Sequence, residues 1–340
     1  MSQPQRVLII GAGLAGLTAA AHLRAEAVRL DRLVEVLVID KGRSVGGRLA
    51  TRRIGSATLD HGAQFFTARS DAFATAVDRW QADGVVEEWC RGFSPEDGYP
   101  RYRTAGGMNR LAKHLAAALA DDPAVTIVTR HRAAAIIPGP DAWTVTYDGF
   151  TREPDDADAV IATPPVPQTL ELLRDGAVHL QPETMARLEA MTYHKVIALL
   201  ATLDRSPSLP GPGALQRPDH PVFSFVADNQ AKGISDDPAL TCHLAHELSA
   251  RLWDADDAAV LAEVADELDA VRGEAETVEV QVKRWRYAGP VSPWSEPSMT
   301  LATTPGPLLL AGDGFGGSKV EGAFLSGQAA ADGLLAWWTD

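Results

Sequence analysis

The sequence predicts an α/β fold, and two strand–turn–helix patterns at opposite ends of the chain support that prediction. Residues 6–23 contain an apolar run, three spaced glycines and a stretch of helix-forming residues. Residues 307–327 contain a second apolar run, a glycine-rich turn and a helix of small residues that begins near Val320. An apolar run at 33–40 supplies another strand. Strands that alternate with helices are typical of a parallel sheet covered by helices.

The first turn carries glycines in the spacing GxGxxG. Gly11 allows a tight turn, Gly13 lets a pyrophosphate approach the backbone, and Gly16 permits close packing of the helix on the strand. The motif predicts a Rossmann-like dinucleotide-binding domain, in which Leu14 and Ala15 at the start of the helix are also expected to contact the ligand. The motif alone does not distinguish NAD from FAD.

The second strand ends in Asp40, 24 residues after the last glycine of the turn. A carboxylate there accepts hydrogen bonds from ribose hydroxyls, and a surface acid before a turn is the alternative. The segment 41–53, which begins with Lys41, is basic in an acidic protein. A nucleic-acid patch would also be basic, but two glycines between Arg43 and Arg48 indicate a loop around phosphate.

The C-terminal pattern provides a second place for negative charge. Its strand ends in Gly312-Asp313-Gly314, and the helix that follows presents unpaired N–H groups and partial positive charge at its first turn. A flavin dinucleotide has two groups that a helix N-terminus can stabilise. Its pyrophosphate suits the first helix, and its N1/O2 edge, which becomes anionic on reduction, suits the second. The two patterns together therefore favour FAD.

Four motifs, in order along the chain, resemble the flavin-containing amine oxidase superfamily. They are GAGLAG at 11–16, RSVGGR at 43–48, LDHGAQ at 59–64 and GDGFGGSKVEGAFLSGQAA at 312–330. Within the superfamily, LDHGAQFFTAR at 59–69 and KRWRYA at 283–288 are similar to bacterial renalase-like FAD-dependent oxidoreductases. The resemblance covers nearly the whole chain.

The resemblance implies which residues hold FAD. Around the pyrophosphate, the adenine and the end of a buried strand it places Gly47, Arg48, Arg132, Ala133, Ala162 and Thr163. Beside the isoalloxazine ring and its N1/O2 edge it places Gly62, Ala63, Gln64, Gly312, Asp313, Val320, Glu321, Gly322 and Ala323. Covalent members of the superfamily use a cysteine thioether. Neither Cys90 nor Cys242 lies near a cofactor motif, so we expect FAD to be bound non-covalently.

The remaining elements indicate two domains. A discontinuous FAD-binding domain is predicted over 1–70, 104–165 and 288–340, and a substrate domain, built on a β-sheet with flanking helices, over 71–103 and 166–287. We expect helices at 71–83 and from 106, strands at 125–135, 143–147 and 159–163, a loop at 206–221 and an amphipathic acidic helix at 255–272. The strand at 159–163 must end at Pro164, since proline cannot continue it.

Residues 277–287 alternate in polarity, so successive side chains of the predicted strand face opposite sides. One face carries valines that are expected to pack in a core, namely Val278, Val280 and Val282. The other face carries Gln281, Lys283, Trp285 and Tyr287. This face suits a planar ring substrate, and a half-exposed strand with ordinary amphipathic aromatics is the alternative. Together with Gln64, the last three of these residues are the candidate catalytic residues.

The histidines do not indicate a different chemistry, such as catalysis by histidine or a metal site. His61 is more often a structural residue than a catalytic one. His243 and His246 are three residues apart on a predicted helix, but the motif HExxH would need a second histidine where Ala250 stands. No metal site is therefore predicted. A hydrolase has no support either, because GxSxG does not occur.

Composition argues against several kinds of partner. A net charge of −14 argues against a nucleic-acid binder. No run reaches the roughly 20 apolar residues of a membrane span. The two cysteines are far apart in sequence and fit neither a zinc site nor a disulfide scaffold, which favours a reducing cytoplasm.

One dinucleotide fingerprint occurs, without a second fingerprint or a redox cysteine pair. Electrons are therefore expected to come from a small substrate docked directly at the flavin. The resemblance implies oxidation of 2- or 6-dihydro isomers of NAD(P)H to NAD(P)+, with O2 reduced to H2O2. An oxidase for a small amine or another cyclic substrate is one alternative, and a flavin-binding sensor without turnover is another.

Overall fold

The computed structural model describes residues 3–93, 98–150 and 152–339. The chain divides into two compact units. The first unit comprises Met1–Gly47, Ala112–Thr192 and Pro290–Asp340, and the second comprises Arg48–Leu111 and Tyr193–Gly289. Within the described ranges, no helix has both the length and the apolar character that crossing a membrane requires.

The strands of the described residues are, in chain order, Gln5–Ile10 (β1), Val34–Asp40 (β2), Thr51–Ile54 (β3), Ala57–Asp60 (β4), Val86–Arg91 (β5), Pro100–Thr104 (β6), Val125–Thr129 (β7), Ala133–Pro138 (β8), Trp143–Tyr147 (β9), Asp155–Ala157 (β10), Ala159–Ala162 (β11), Tyr193–Leu203 (β12), Ala214–Gln216 (β13), Phe223–Asp228 (β14), Ala239–Leu244 (β15), Thr277–Pro290 (β16), Met299–Ala302 (β17) and Leu308–Leu310 (β18). The helices are Leu14–Arg29 (α1), Asp71–Ala82 (α2), Asn109–Ala120 (α3), Val166–Asp175 (α4), Pro182–Glu189 (α5), His246–Arg251 (α6), Asp257–Glu263 (α7), Ala265–Arg272 (α8) and Lys319–Trp337 (α9).

The first unit is built on a six-stranded sheet with the order β17-β18-β11-β1-β2-β7. Five strands run parallel, and β17 is antiparallel at one edge. In β1, the last four side chains are all buried, which is typical of a parallel strand covered on both faces. The predicted α/β fold class is therefore confirmed.

Helices α1 and α9 pack against each other in the first unit. A Cβ added to Gly327 of α9 would lie 2.3 Å from the main-chain oxygen of Ala15 in α1, so the helices approach to backbone distance. The predicted helices from opposite ends of the chain are thus neighbours. A separate three-stranded sheet, β10-β9-β8, lies in the same unit and is contacted by α4.

The second unit contains a five-stranded sheet with the order β13-β14-β15-β12-β16. β13, β14, β15 and β12 pair antiparallel in that order. The core of this unit forms between the sheet and the helices α6, α7 and α8, where Leu248, Val260 and Leu268 pack with strand residues such as Ile197 and Leu199. Two short pairs, β3-β4 and β5-β6, belong to the same unit.

Three predicted elements differ from the structure. The segment 255–272 forms two helices, because the backbone at Val264 leaves the helical region (φ −109°) while its side chain stays buried. The segment 125–135 forms β7 and β8, because Arg130 takes a positive φ of 64° that turns the chain. The segment 206–221 contains β13, whose pairing with β14 supplies hydrogen bonds that the local prolines and glycines do not indicate.

Two side chains are placed differently from the prediction. His243 lies in strand β15, and only His246, which begins α6, is helical. Val278 is 70% exposed, because it lies near the start of β16 and outside the core that Val280 and Val282 contact.

Four segments of the chain lie in a different compact unit from the one that corresponds to their predicted domain, and the fourth is only two residues long. Segments 48–70 and 104–111 were predicted in the FAD-binding domain and lie in the second unit, as do residues 288–289. Segment 166–192 was predicted in the substrate domain and lies in the first unit. Compactness does not show which residues hold a cofactor, so the predicted domain boundaries stay a prediction.

Candidate functional site

Four chain segments meet at the carboxyl edge of the parallel sheet in the first unit. They contain Gly11 after β1, Asp40 at the end of β2, Thr163 after β11 and Gly312 after β18. The Thr163 hydroxyl donates to the main-chain oxygen of Ile10 at 2.8 Å, which joins two of the segments. The chain leaves β1 toward β2 on one side while β11 lies on the other. Such a switch point in strand order is where open α/β sheets bind ligands.

The three glycines of the first turn have different surroundings. A Cβ on Gly11, whose φ is +103°, would lie 2.4 Å from the Thr163 hydroxyl. A Cβ on Gly16 would lie 1.9 Å from the main-chain oxygen of Gly11. In contrast, no described atom lies within 4 Å of the position that a Cβ on Gly13 would take. The fold itself therefore requires two of the glycines, while Gly13 leaves space at the N-terminus of α1, as a pyrophosphate would need.

Asp40 already has two main-chain partners. Its Oδ2 accepts from the N–H of Ala12 at 2.8 Å, and its Oδ1 accepts from the N–H of Gly42 at 2.6 Å. The carboxylate thus ties the glycine turn to the end of β2. An ionised carboxylate has about four acceptor positions, so capacity remains for a ribose hydroxyl. The adjacent Lys41 donates from Nζ to Oε1 of Gln168 at 3.1 Å.

The double-glycine loop lies against the first turn. The N–H of Gly46 donates to the main-chain oxygen of Ala12 at 2.8 Å, and a Cβ on Gly47 would lie 3.6 Å from Cα of Gly13. The chain near the predicted adenine residues Arg132 and Ala133 runs beside the end of β2, because the N–H of His131 donates to the oxygen of Asp40 at 3.0 Å. The guanidinium of Arg132 pairs with Asp148 at 3.3 Å.

The start of α9 also requires glycine. The N–H of Gly312, which has a φ of +126°, donates to the Ser326 hydroxyl at 2.8 Å. A Cβ on Gly322 would lie 1.8 Å from the main-chain oxygen of Gly317. Asp313, which precedes the helix, and Val320 are buried. Val320, Glu321, Gly322 and Ala323 lie in the first turns of α9. The predicted start of this helix is therefore confirmed, and its role toward a flavin stays a prediction.

In the second unit, the predicted ring-binding face of β16 contacts the LDHGAQ segment. The Trp285 ring stacks on the His61 ring with centroids 5.3 Å apart, and Nε1 of Trp285 donates to the main-chain oxygen of His61 at 2.6 Å. Tyr287 meets the ring of Tyr193 edge-on at 5.6 Å. Lys283 follows the same alternation on β16. The sequence did not predict these contacts, and the role of the three β16 residues in substrate binding stays a prediction.

The LDHGAQ segment is held by main-chain contacts to Arg48. The N–H of Ala63 donates to the main-chain oxygen of Arg48 at 2.9 Å, and a Cβ on Gly62 would lie 1.9 Å from the same oxygen. The Arg48 side chain donates from Nη1 to the main-chain oxygen of Tyr287 at 3.1 Å. Arg48 therefore links the motif at 43–48 to both the LDHGAQ segment and β16.

A buried ion pair lies at Asp60, the second residue of this segment. Nζ of Lys232 is 2.7 Å from Oδ2 of Asp60, and both side chains are fully buried. Oδ1 of Asp60 accepts from the Thr51 hydroxyl at 2.6 Å and from the N–H of Met108 at 2.8 Å. The main-chain oxygen of Asp60 accepts from the Thr241 hydroxyl at 3.0 Å. Burial lowers the pKa of Lys232, and the adjacent carboxylate opposes that change.

Gln64 and His243 continue the network. Nε2 of Gln64 donates to the main-chain oxygen of Asp60 at 2.7 Å and lies 3.3 Å from Nε2 of His243. Burial lowers the pKa of His61 and of His243 to about 4, so both rings are neutral at pH 7. Two buried polar atoms, Nδ1 of His61 and Oε1 of Gln64, have no hydrogen-bond partner among the described residues.

Sequence reasoning missed Lys232 and His243. Lys232 stands in the polar segment after β14, where a lysine is usually exposed, and the local sequence carries no signal for its burial. His243 occurs in the alternating run of β15, and this alternation was the available signal. In the part of the chain that the structure describes, no group of three or more His, Cys, Asp or Glu side chains could hold a metal ion.

Comparison with known proteins assigns the chain to a family. Residues 9–80 match the family described as NAD(P)-binding Rossmann-like domain. Residues 71–335 match the family described as flavin containing amine oxidoreductase. The chain belongs to the flavin containing amine oxidoreductase family. As a member of that family, it is an FAD-dependent oxidoreductase that acts on a small molecule.

This flavin containing amine oxidoreductase is 25% identical to renalase from Mus musculus over 338 residues, which cover 94% of this chain and 96% of the mouse protein. Its fold is similar to that of a provisionally assigned protoporphyrinogen oxidase from Exiguobacterium sp. 255-15, with a TM-score of 0.72, 15% identity, and 98% and 99% of the two chains covered. It is also similar to putrescine oxidase bound to putrescine, with a TM-score of 0.63, 16% identity and coverage of 98% and 99%.

Proposed function

We propose that this oxidoreductase is a renalase-like oxidase for isomeric dihydropyridine forms of NAD(P)H. In the 2- and 6-dihydro isomers, the transferable hydrogen lies on a ring carbon next to the nitrogen. One dihydropyridine, one proton and one O2 give NAD(P)+ and H2O2. The similarity to mouse renalase over nearly the full length of both chains supports the proposal.

The similarity to mouse renalase over nearly the full length of both chains is the observation that carries the proposal. Around the His61–Trp285 stack, burial is the main cause of the low pKa of His61. The negative charge of Asp60 raises this pKa, and the positive charges of Lys283 and Arg52 lower it. Lys283 and Arg52 would attract the phosphates of a dinucleotide.

The neutral side chains suit a reaction that needs no strong base. Hydride loss from a carbon beside nitrogen leaves a cation that the pyridine ring delocalises. When bound, FAD supplies the two-electron acceptor for such a substrate. We propose that Trp285 and Tyr287 orient the ring, that Lys283 attracts the phosphates, and that Gln64 hydrogen-bonds a ring ligand.

The residues proposed to hold FAD keep the roles that the motifs imply. The turn from Gly11 to Gly16 and the loop at Gly47 and Arg48 would hold the pyrophosphate, and Asp40 the ribose. The others are proposed to contact the adenine, the middle of the cofactor or the flavin ring, namely Lys41, Arg132, Ala133, Ala162, Thr163, Gly62, Ala63, Gln64, Gly312, Asp313, Val320, Glu321, Gly322 and Ala323. The space at Gly13 supports the proposed place of the pyrophosphate.

Anaerobic stopped-flow mixing tests the substrate. Dihydropyridine isomers of NAD(P)H should bleach the flavin absorbance rapidly, while authentic NADH and a simple diamine such as putrescine should bleach it slowly. This expectation rests on the similarity to mouse renalase and on the single dinucleotide fingerprint. If a primary amine bleached the flavin fastest, the amine oxidase alternative would replace this proposal. Bleaching by none of them would favour a flavin-binding sensor.

FAD is proposed to be bound non-covalently. Cys242 is buried, and burial raises the pKa of its thiol, so its thiolate is a poor candidate for a thioether bond. Acid precipitation of the purified holoprotein should release the flavin to the supernatant, where its absorbance is measured. Yellow colour retained in the washed pellet would show a covalent link.

A further inference from the structure

The amide of Gln64 is buried and held in one orientation. The residue is 5% exposed, and its Nε2 donates to the main-chain oxygens of Asp60 at 2.7 Å and Gly62 at 3.2 Å. Exchanging the amide nitrogen and oxygen would place two acceptors 2.7 Å apart at Asp60. The network therefore fixes Oε1 as the atom that lacks a partner among the described residues.

His243 supports this orientation from the neighbouring strand β15. Of the two amide hydrogens of Gln64, one meets the main-chain oxygen of Asp60, and the other is shared between the main-chain oxygen of Gly62 and Nε2 of His243, which lies 3.3 Å from the amide nitrogen. Nε2 faces this shared donor and accepts, so the neutral ring carries its proton on Nδ1. His243 therefore contacts the last residue of the segment 61–64.

We propose that Oε1 of Gln64 accepts a hydrogen bond from an N–H group of a bound ring ligand, and that His243 is the positioning residue that keeps this oxygen available. A buried acceptor without a donor is unfavourable, and a ligand N–H would satisfy it. Two ring ligands carry such a group. One is a dihydronicotinamide substrate, through its carboxamide, and the other is the flavin, through a ring N–H. The case in which the substrate supplies the N–H, the first or substrate arm, rests on the proposed function. The case in which the flavin supplies it, the second or flavin arm, rests on the family alone.

Matched substrates test the first arm. The test compares the dihydropyridine isomers of NAD with those of its 3-acetylpyridine analogue. The NAD isomers carry a carboxamide NH2 group where the isomers of the analogue carry a methyl group. With the wild-type holoenzyme, KM should be about tenfold lower for the carboxamide. Gln64→Leu and His243→Leu should both lose this preference. His243→Gln, whose amide oxygen can accept in place of Nε2, should keep most of it. A general loss of stability would alter both substrates and leave their ratio unchanged.

The bound flavin tests the second arm. If the flavin supplies the N–H, the substrate ratio stays as in the wild type. Gln64→Leu and His243→Leu should then shift the visible absorption maximum of the bound flavin and raise the Kd for FAD about tenfold. His243→Gln should again resemble the wild type. Gln216→Leu, which replaces an exposed glutamine of β13, is the control and should change neither readout.

NMR tests the geometry without turnover. Long-range 1H–15N correlation in the wild-type holoenzyme should show His243 as the neutral Nδ1–H tautomer, and a proton on Nε2 would overturn the assigned orientation. The proposal is also overturned if the substrate ratio and the flavin properties are both unchanged in Gln64→Leu and His243→Leu. If the wild type oxidises neither dihydropyridine, the proposed function fails, and the flavin arm alone decides this inference.

Discussion

Gly13→Val should abolish FAD retention and leave the fold intact. No described atom lies within 4 Å of the new Cβ, and the backbone at Gly13 (φ −77°, ψ −176°) suits any residue. The cost to folding should therefore be about 1 kcal/mol, from a poorer helix cap. The same space is where the pyrophosphate is proposed to lie, so the Kd for FAD should rise at least about a hundredfold, or about 2.7 kcal/mol. Flavin absorbance after gel filtration and thermal melting measure the two effects.

Ala substitutions at Gly13 and Gly16 form the matched control. The methyl group of Gly16→Ala would lie 1.9 Å from the main-chain oxygen of Gly11, so α1 could not keep its position on β1. We expect a loss of about 3 kcal/mol or more, seen as a lower melting temperature, whereas Gly13→Ala should melt close to the wild type. Full FAD occupancy in Gly13→Val would refute the assignment of this turn.

Lys232→Met should strongly destabilise the second unit. The substitution leaves the fully buried carboxylate of Asp60 without the ammonium group 2.7 Å away. Removing one partner of a buried ion pair typically costs about 3–5 kcal/mol, because an uncompensated charge stays in the interior. Urea unfolding followed by tryptophan fluorescence should show this loss in the free energy of unfolding.

Two further variants separate charge from packing. In Lys232→Met/Asp60→Asn, the amide has no charge but can still accept from Thr51, so more than half of the lost stability should return. Arg251→Met removes an exposed ion pair with Glu263 in the same unit and should cost less than about 1 kcal/mol. If Lys232→Met were as mild as Arg251→Met, the buried pair would not contribute to stability as described.

Local sequence predicted the elements whose form depends on near neighbours. β9 has the predicted bounds, and α2 ends one residue before the predicted end. The strand before Pro164 ends at Ala162, as a residue without an N–H requires. Prediction failed where distant contacts decide the backbone. The break at Val264 follows no proline or glycine, and β13 exists because β14 lies beside it.

The sequence by itself determined the α/β class, the order of the motifs and the residues that they imply for FAD, because spacing along the chain carries that information. Only the tertiary structure decided which glycines the fold requires and which leaves space. Only the structure joined Asp60 to Lys232, Gln64 to His243 and His61 to Trp285, across 172, 179 and 224 residues. A lysine or histidine has the same neighbours in sequence whether it is exposed or buried. Its partners depend on segments that folding brings together, and no local pattern identifies those segments.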